Sequence, residues 1–159
     1  MSKIYPFRAH PEIKNMANQI ATTFGVGHID VFATNNCLAC VTVLKHNRHG
    51  IAYSPAFMNK LGYWAKVAVL SHEVAHIYNN DTSRRPRNWV ESHWRELNAD
   101  WFAGWALYYY GADLDEALQM YDQHEFELSP THPSEELRRK SLRSGWLSAR
   151  NYFTQRNVG

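Results

Sequence analysis

With 159 residues, 45% of them hydrophobic and 20% charged, the chain reads as one globular domain over residues 1–159, and not as a disordered, collagenous or low-complexity sequence. Seventeen Lys and Arg against 15 Asp and Glu leave a formal charge of +2, too small to point to nucleic acid or an acidic membrane surface as a partner. No apolar run approaches the roughly 18 to 20 residues that span a bilayer, and Met1 to Arg8 holds no signal-type apolar stretch, so the expected location is cytoplasmic.

In chain order, Pro11 suits the first position of a helix, and Ile13, Met16, Ala17, Ile20 and Phe24 recur at spacings of three and four up to Gly25. His28 to Thr34 and Cys37 to Leu44 are rich in β-branched and apolar residues and flank Asn35-Asn36, which predicts a β-hairpin. Ile51 to Tyr53 adds a third short strand before Ser54-Pro55. Cys37 and Cys40 form a C-x-x-C, but residues three apart on a strand point to opposite faces, so neither a redox pair nor half of a zinc site is expected.

From Tyr63 to Asn79 the period becomes helical, with Val67, Leu70, Val74 and Ile77 on one face. Asn80 to Asn88, containing Arg84-Arg85-Pro86-Arg87, reads as a solvated basic connection, ahead of two other readings, a lid or rim over a cleft and a patch for nucleic acid or an acidic partner. A long helix follows from Trp89 to Tyr110 and ends at Gly111; its Trp101, Trp105, Tyr108, Tyr109 and Tyr110 fall at helical spacing, as core residues do. Asp113 or Asp115 caps a third helix through His124, and a last one runs from Pro133 to about Tyr152. The expected class is α+β, mostly helical, with a small three-stranded sheet.

The chemistry concentrates at His72-Glu73-Val74-Ala75-His76, an H-E-x-x-H inside a predicted helix. Residues four apart share a helical face, so both imidazoles can reach one ion at about 2.0 to 2.1 Å. Glu73 sits about 100° around the helix, beside the ligands, where a carboxylate can take a proton from an activated water and pass it to a leaving amine. A zinc site needs a third protein ligand. A histidine six residues after His76, the metzincin arrangement, is excluded because position 82 is Thr82 and the glycine position holds Asn79. The following helix offers Glu96, with Glu91 and His93 as rivals; Asp100, four residues beyond Glu96, can accept the other ring N–H of a ligand histidine.

These motifs resemble the gluzincin metallopeptidases, most closely the soluble catalytic core of peptidase family M48 (Ste24/HtpX-like). The matching segments are His72-Glu73-x-x-His76, then Glu96-x-x-Ala99-Asp100, then Thr131-His132-Pro133-Ser134 with Arg138 six residues after His132. Asn36-Cys37-Leu38-Ala39 is similar to the family's N-A-x-A edge strand, with Cys37 in place of the usual alanine. The resemblance implies a minimal zincin-like domain holding one zinc ion through His72, His76 and Glu96, with Glu73 as general base and acid. It also implies that His132 donates to the oxyanion and that Arg138 supports that part of the site. An extended peptide or unfolded protein substrate would pair with the strand at Asn36, Leu38 and Ala39. Read without the family, His132-Pro133 at a helix start sets an imidazole beside unsatisfied backbone N–H groups, which suits an oxyanion. Glu96 to Ala103 is also similar to the E-x-x-A-N-x-F-A of ImmA/IrrE-type regulatory peptidases, which act on one repressor. A latent enzyme or a non-catalytic metal-binding module is the remaining reading.

Overall fold

The computed structural model describes residues 7–124 and 132–157. The first helix, α1 (Pro11–Thr23), starts as its sequence predicts: Pro11 occupies the first turn, the His10 ring accepts the Glu12 N–H, and Ile13, Ala17, Ile20 and Ala21 are buried. A four-stranded mixed sheet follows, formed by β1 (Phe7–Arg8), β2 (Asp30–Ala33), β3 (Ala39–Val43) and β4 (His49–Tyr53) in the order β1-β2-β4-β3.

This corrects the expected three-stranded sheet and its hairpin. β2 and β3 do not pair with each other; β2 runs parallel to β4, and β3 is antiparallel to β4 on the other side. Burial is the physical reason, because Gly50, Ile51, Ala52 and Tyr53 are all buried, and a strand buried on both faces belongs in the middle of a sheet. Gly50 is needed there: a Cβ would press on the Asp30 carbonyl and on the Phe32 and Thr42 side chains of the flanking strands. The true hairpin is β3–β4, turned by a 3-10 segment at Lys45–Asn47 in which His46 and Asn47 take positive φ.

Cys37 and Cys40 are joined by a disulfide. Strand alternation does not govern them, because β3 begins at Ala39 and Cys37 lies in the bend before it.

After a short helix, α2 (Pro55–Met58), α3 (Tyr63–Tyr78) crosses the centre of the molecule, with eleven residues from Ala65 to Ile77 buried around its circumference. A helix apolar on so much of its surface is a core helix, and any polar side chain it carries must be partnered by what surrounds it. The next helix, α4 (Trp89–Tyr110), is capped by Asn88, which accepts the Glu91 N–H, and closed by Gly111 at φ 99°. The expected third helix is two short ones, α5 (Leu114–Ala117), opened by an Asp113–Glu116 capping box, and α6 (Gln119–Gln123). The last helix, α7 (Glu135–Arg156), begins two residues later than expected, with Ser134 as its cap.

α4 and α7 touch backbone to backbone. A Cβ on Gly104 would overlap the Leu142 carbonyl, and one on Gly145 would overlap the Trp101 carbonyl. This close approach brings residues near the start of α7 beside the middle of α4. The aromatic residues of α4 are mostly half-buried: Phe102, Trp105, Tyr109 and Tyr110 surround Phe24 at the end of α1, while Tyr108 packs on Trp146. Among the described residues no helix is long and apolar enough to cross a membrane.

Candidate metal centre

His72 and His76 lie one turn apart on α3, and Glu96 faces them from the second turn of α4. His72 Nε2 is 3.1 Å from His76 Nε2 and 3.2 Å from Glu96 Oε2, while His76 Nε2 is 3.2 Å from Glu96 Oε1. Four ligands at about 2.0 to 2.1 Å around a tetrahedral ion stand about 3.3 to 3.4 Å apart, so these donors already have close to the separation a single zinc ion requires.

The other face of each ring is held. His72 Nδ1 donates to Asp100 Oδ1 at 2.8 Å, and His76 Nδ1 donates to Asp81 Oδ2 at 2.8 Å. A carboxylate oxygen only accepts, so both Nδ1 atoms carry the proton and both Nε2 lone pairs of the neutral rings point toward Glu96. Asp100 is fully buried and is itself bound by Arg138, Nε to Oδ2 at 2.8 Å and Nη2 to Oδ1 at 2.9 Å. Arg138 thus serves the His72 side of the site by fixing Asp100.

The charges favour a cation between the donors. Burial disfavours protonated rings, yet Asp100 and Glu96 hold His72 up at about 10, and Asp81 and Glu96 hold His76 up at about 9. Glu96 behaves in the opposite sense: burial would raise its carboxyl, but hydrogen bonds and charge from His72 and His76 hold it well below the usual carboxylate range. The raised histidines and the lowered Glu96 share one cause, buried carboxylates that favour positive charge between them.

Glu73 is 8% exposed and borders the same cleft beside, not within, the donor cluster. Burial pushes its carboxyl up, opposed by the neighbouring His72 and His76. The cleft, about 370 Å³, is bounded by α3, by Ala39, Cys40 and Val41 of β3, by Thr82 and Pro86 of the connecting loop, and by His132. That volume suits part of an extended chain.

The expected residues are therefore placed as follows. His72, His76 and Glu96 converge, Asp100 orients His72, and Glu73, Ala39 and His132 border the cleft. Asn36 and Leu38 lie ahead of the edge strand, which starts at Ala39; the Asn36 N–H goes to Thr34 Oγ1 and the Leu38 carbonyl accepts the Ser54 N–H. Thr131 falls outside the described residues. Of the rivals to Glu96, Glu91 is engaged by Arg84, Arg87 and Arg95, and His93 packs on Trp89. Asp81 is the residue that sequence reasoning missed. Asn79 and the left-handed Asn80 (φ 58°) end α3 and fold the chain back on itself, which returns Asp81 to His76; an Asn-Asn-Asp directly after a helix is the signal that was available.

Comparison with family models, with curated proteins and with solved structures gives no match for this chain. The class of site is defined by its donors: two imidazoles and one carboxylate with a second carboxylate alongside, a set that suits zinc.

Proposed function

We propose that this protein is a zinc-dependent peptidase in which His72, His76 and Glu96 hold the ion and Glu73 moves the proton. The observation that carries this reading is the convergence of the two imidazole Nε2 atoms and the Glu96 carboxylate, 3.1 to 3.2 Å apart, in a cleft that also presents Glu73. A zinc ion bound there supplies Lewis acidity, polarising a carbonyl and lowering the pKa of water to about 7.

The chain's own residues supply the rest. The ionised Glu73 carboxylate accepts a proton from the attacking water and, now a carboxylic acid, delivers it to the leaving amine nitrogen, so peptide cleavage consumes one water and returns Glu73 to its starting state. Its raised pKa favours both halves of that cycle, since a base nearer neutrality is also a competent acid. His132, at the opening of α7, is suited to hydrogen-bond the developing oxyanion. The outward backbone of Ala39–Val43 at the sheet edge offers main-chain pairing to an extended substrate, with the scissile bond directed toward α3.

Purified protein reconstituted with zinc should hold about one ion per chain and cleave unfolded casein. Glu73→Gln should retain the ion and lose at least about 100-fold in rate. Undiminished cleavage by that variant would remove the mechanism.

A further inference from the structure

The arginine-bearing loop after α3 is tied into the site through a chain of ion pairs that starts at His76. Asp81 receives His76 Nδ1 through Oδ2, and its other oxygen lies 3.7 Å from Arg95 Nε. Arg95 is the residue before Glu96 on α4, and its side chain is only 11% exposed. Its Nη1 donates to the carbonyls of Asp81 (2.8 Å) and Arg84 (2.9 Å), while Nη2 donates to Glu91 Oε1 (2.9 Å). Glu91 then gathers the rest of the loop: Arg84 Nη2 at 2.6 Å, the Arg87 N–H at 2.9 Å and Arg87 Nε at 3.2 Å. Thr82, also on this loop, faces His49 Nε2 at 3.1 Å, and both Thr82 and Pro86 border the cleft.

This pattern differs from a solvated basic connection. One carboxylate collects three arginines, and one of those arginines closes two loop carbonyls beside a proposed metal ligand. We infer that the loop of residues 79–88 is a metal-coupled wall of the substrate cleft, with Asp81 and Arg95 as positioning residues for His76 and Glu91 as the clamp that holds the loop to α4. The inference rests on the metal site proposed above. An ion that fixes the His76 ring fixes Asp81, and Asp81 shares Arg95 with the Arg84 carbonyl, so metal and loop stabilise one another. By linkage the effect is reciprocal: whatever factor zinc contributes to loop closure, the closed loop contributes to zinc affinity. The nucleic-acid reading of the arginines loses ground because Arg84 and Arg87 are engaged within the molecule.

Trypsin supplies a direct readout. It cleaves after Arg84 and Arg87, whereas the Arg85–Pro86 bond resists it. The native protein and Glu91→Gln, a conservative change at a residue that does not touch the ion's ligands, are compared by limited trypsin digestion with and without one equivalent of zinc. Zinc affinity is measured in parallel by competition with a chromophoric chelator, and folding is checked by circular dichroism. Zinc should slow cleavage after Arg84 and Arg87 by about 10-fold or more in the native protein, and Glu91→Gln should lose most of that protection together with some zinc affinity. Asp81→Asn should weaken zinc by about 10- to 100-fold, the usual effect of losing a carboxylate behind a ligand histidine. Zinc that binds without slowing either cut, or that protects Glu91→Gln equally, would overturn the coupling and leave the metal site standing. A protein that takes up no zinc would overturn the site itself, and the coupling with it.

Discussion

Asp100 and Arg138 form a two-point ion pair at the base of the candidate metal centre, reaching from the middle of α4 to the first turn of α7, with Asp100 fully buried and also accepting from His72 Nδ1. Breaking a buried pair from one side leaves an uncompensated charge. Arg138→Met should therefore destabilise the protein by about 3 to 5 kcal/mol in urea unfolding. Removing both charges, Asp100→Leu with Arg138→Met, should recover much of that loss while leaving His72 without its partner and zinc weakened by about 10- to 100-fold. If the double variant were as unstable as the single one, the pair would owe its value to packing and not to charge.

The α4–α7 contact that sets up this pair depends on glycine. Alanine in place of Gly145 gains about 1 kcal/mol of helix propensity. It also drives a methyl group into the Trp101 carbonyl, a backbone atom that cannot rotate away. Overpacking of this kind costs about 1 to 3 kcal/mol and more where backbone must shift, so the net sign is destabilising. Gly145→Ala should lower the thermal midpoint by several degrees and weaken zinc, because separating the helices moves Arg138 away from Asp100. An unchanged or raised midpoint would show that the two helices can move apart at little cost.

The histidines make the metal-free protein pH-sensitive in a defined direction. Both are raised from 6.5, His72 to about 10 and His76 to about 9. A group whose pKa is raised on folding contributes stability that is full below its unfolded value and is lost as pH climbs through its folded value. The metal-free protein should accordingly lose stability between pH 7 and 10. Zinc affinity should rise over the same interval, because the ion and the two protons compete for the same Nε2 atoms. Calorimetric titration with zinc at pH 7, in buffers of different ionisation enthalpy, should report release of up to two protons; release of none would mean that the rings are already neutral.

How much of this was legible in the sequence follows from how local each feature is. His72 and His76 share a helical face by spacing alone, and Glu96 and Asp100 do so on the next helix, so the side chains that converge are legible from spacing. Helix ends were equally legible where a residue has one good use, as with Pro11 and Gly111. Strand pairing was not, since Asn35-Asn36 offers a turn as good as the one chosen, and the decision rests with the burial of β4 far along the chain. The same distance dependence hid the Cys37–Cys40 disulfide, which requires knowing that β3 begins at Ala39. It also hid the partner of Arg138, 38 residues from Asp100 in sequence. Asp81 was hidden by a single left-handed residue, Asn80.

The central claim is that three side chains from α3 and α4 share one ion. A crystal structure of the zinc-reconstituted protein, with anomalous data collected on both sides of the zinc edge, tests it most directly. One anomalous peak should lie about 2.0 to 2.1 Å from His72 Nε2, His76 Nε2 and a Glu96 oxygen, with Glu73 alongside and outside the ligand set. A peak held by other residues, or zinc scattered over the surface with these three donors bare, would contradict the account.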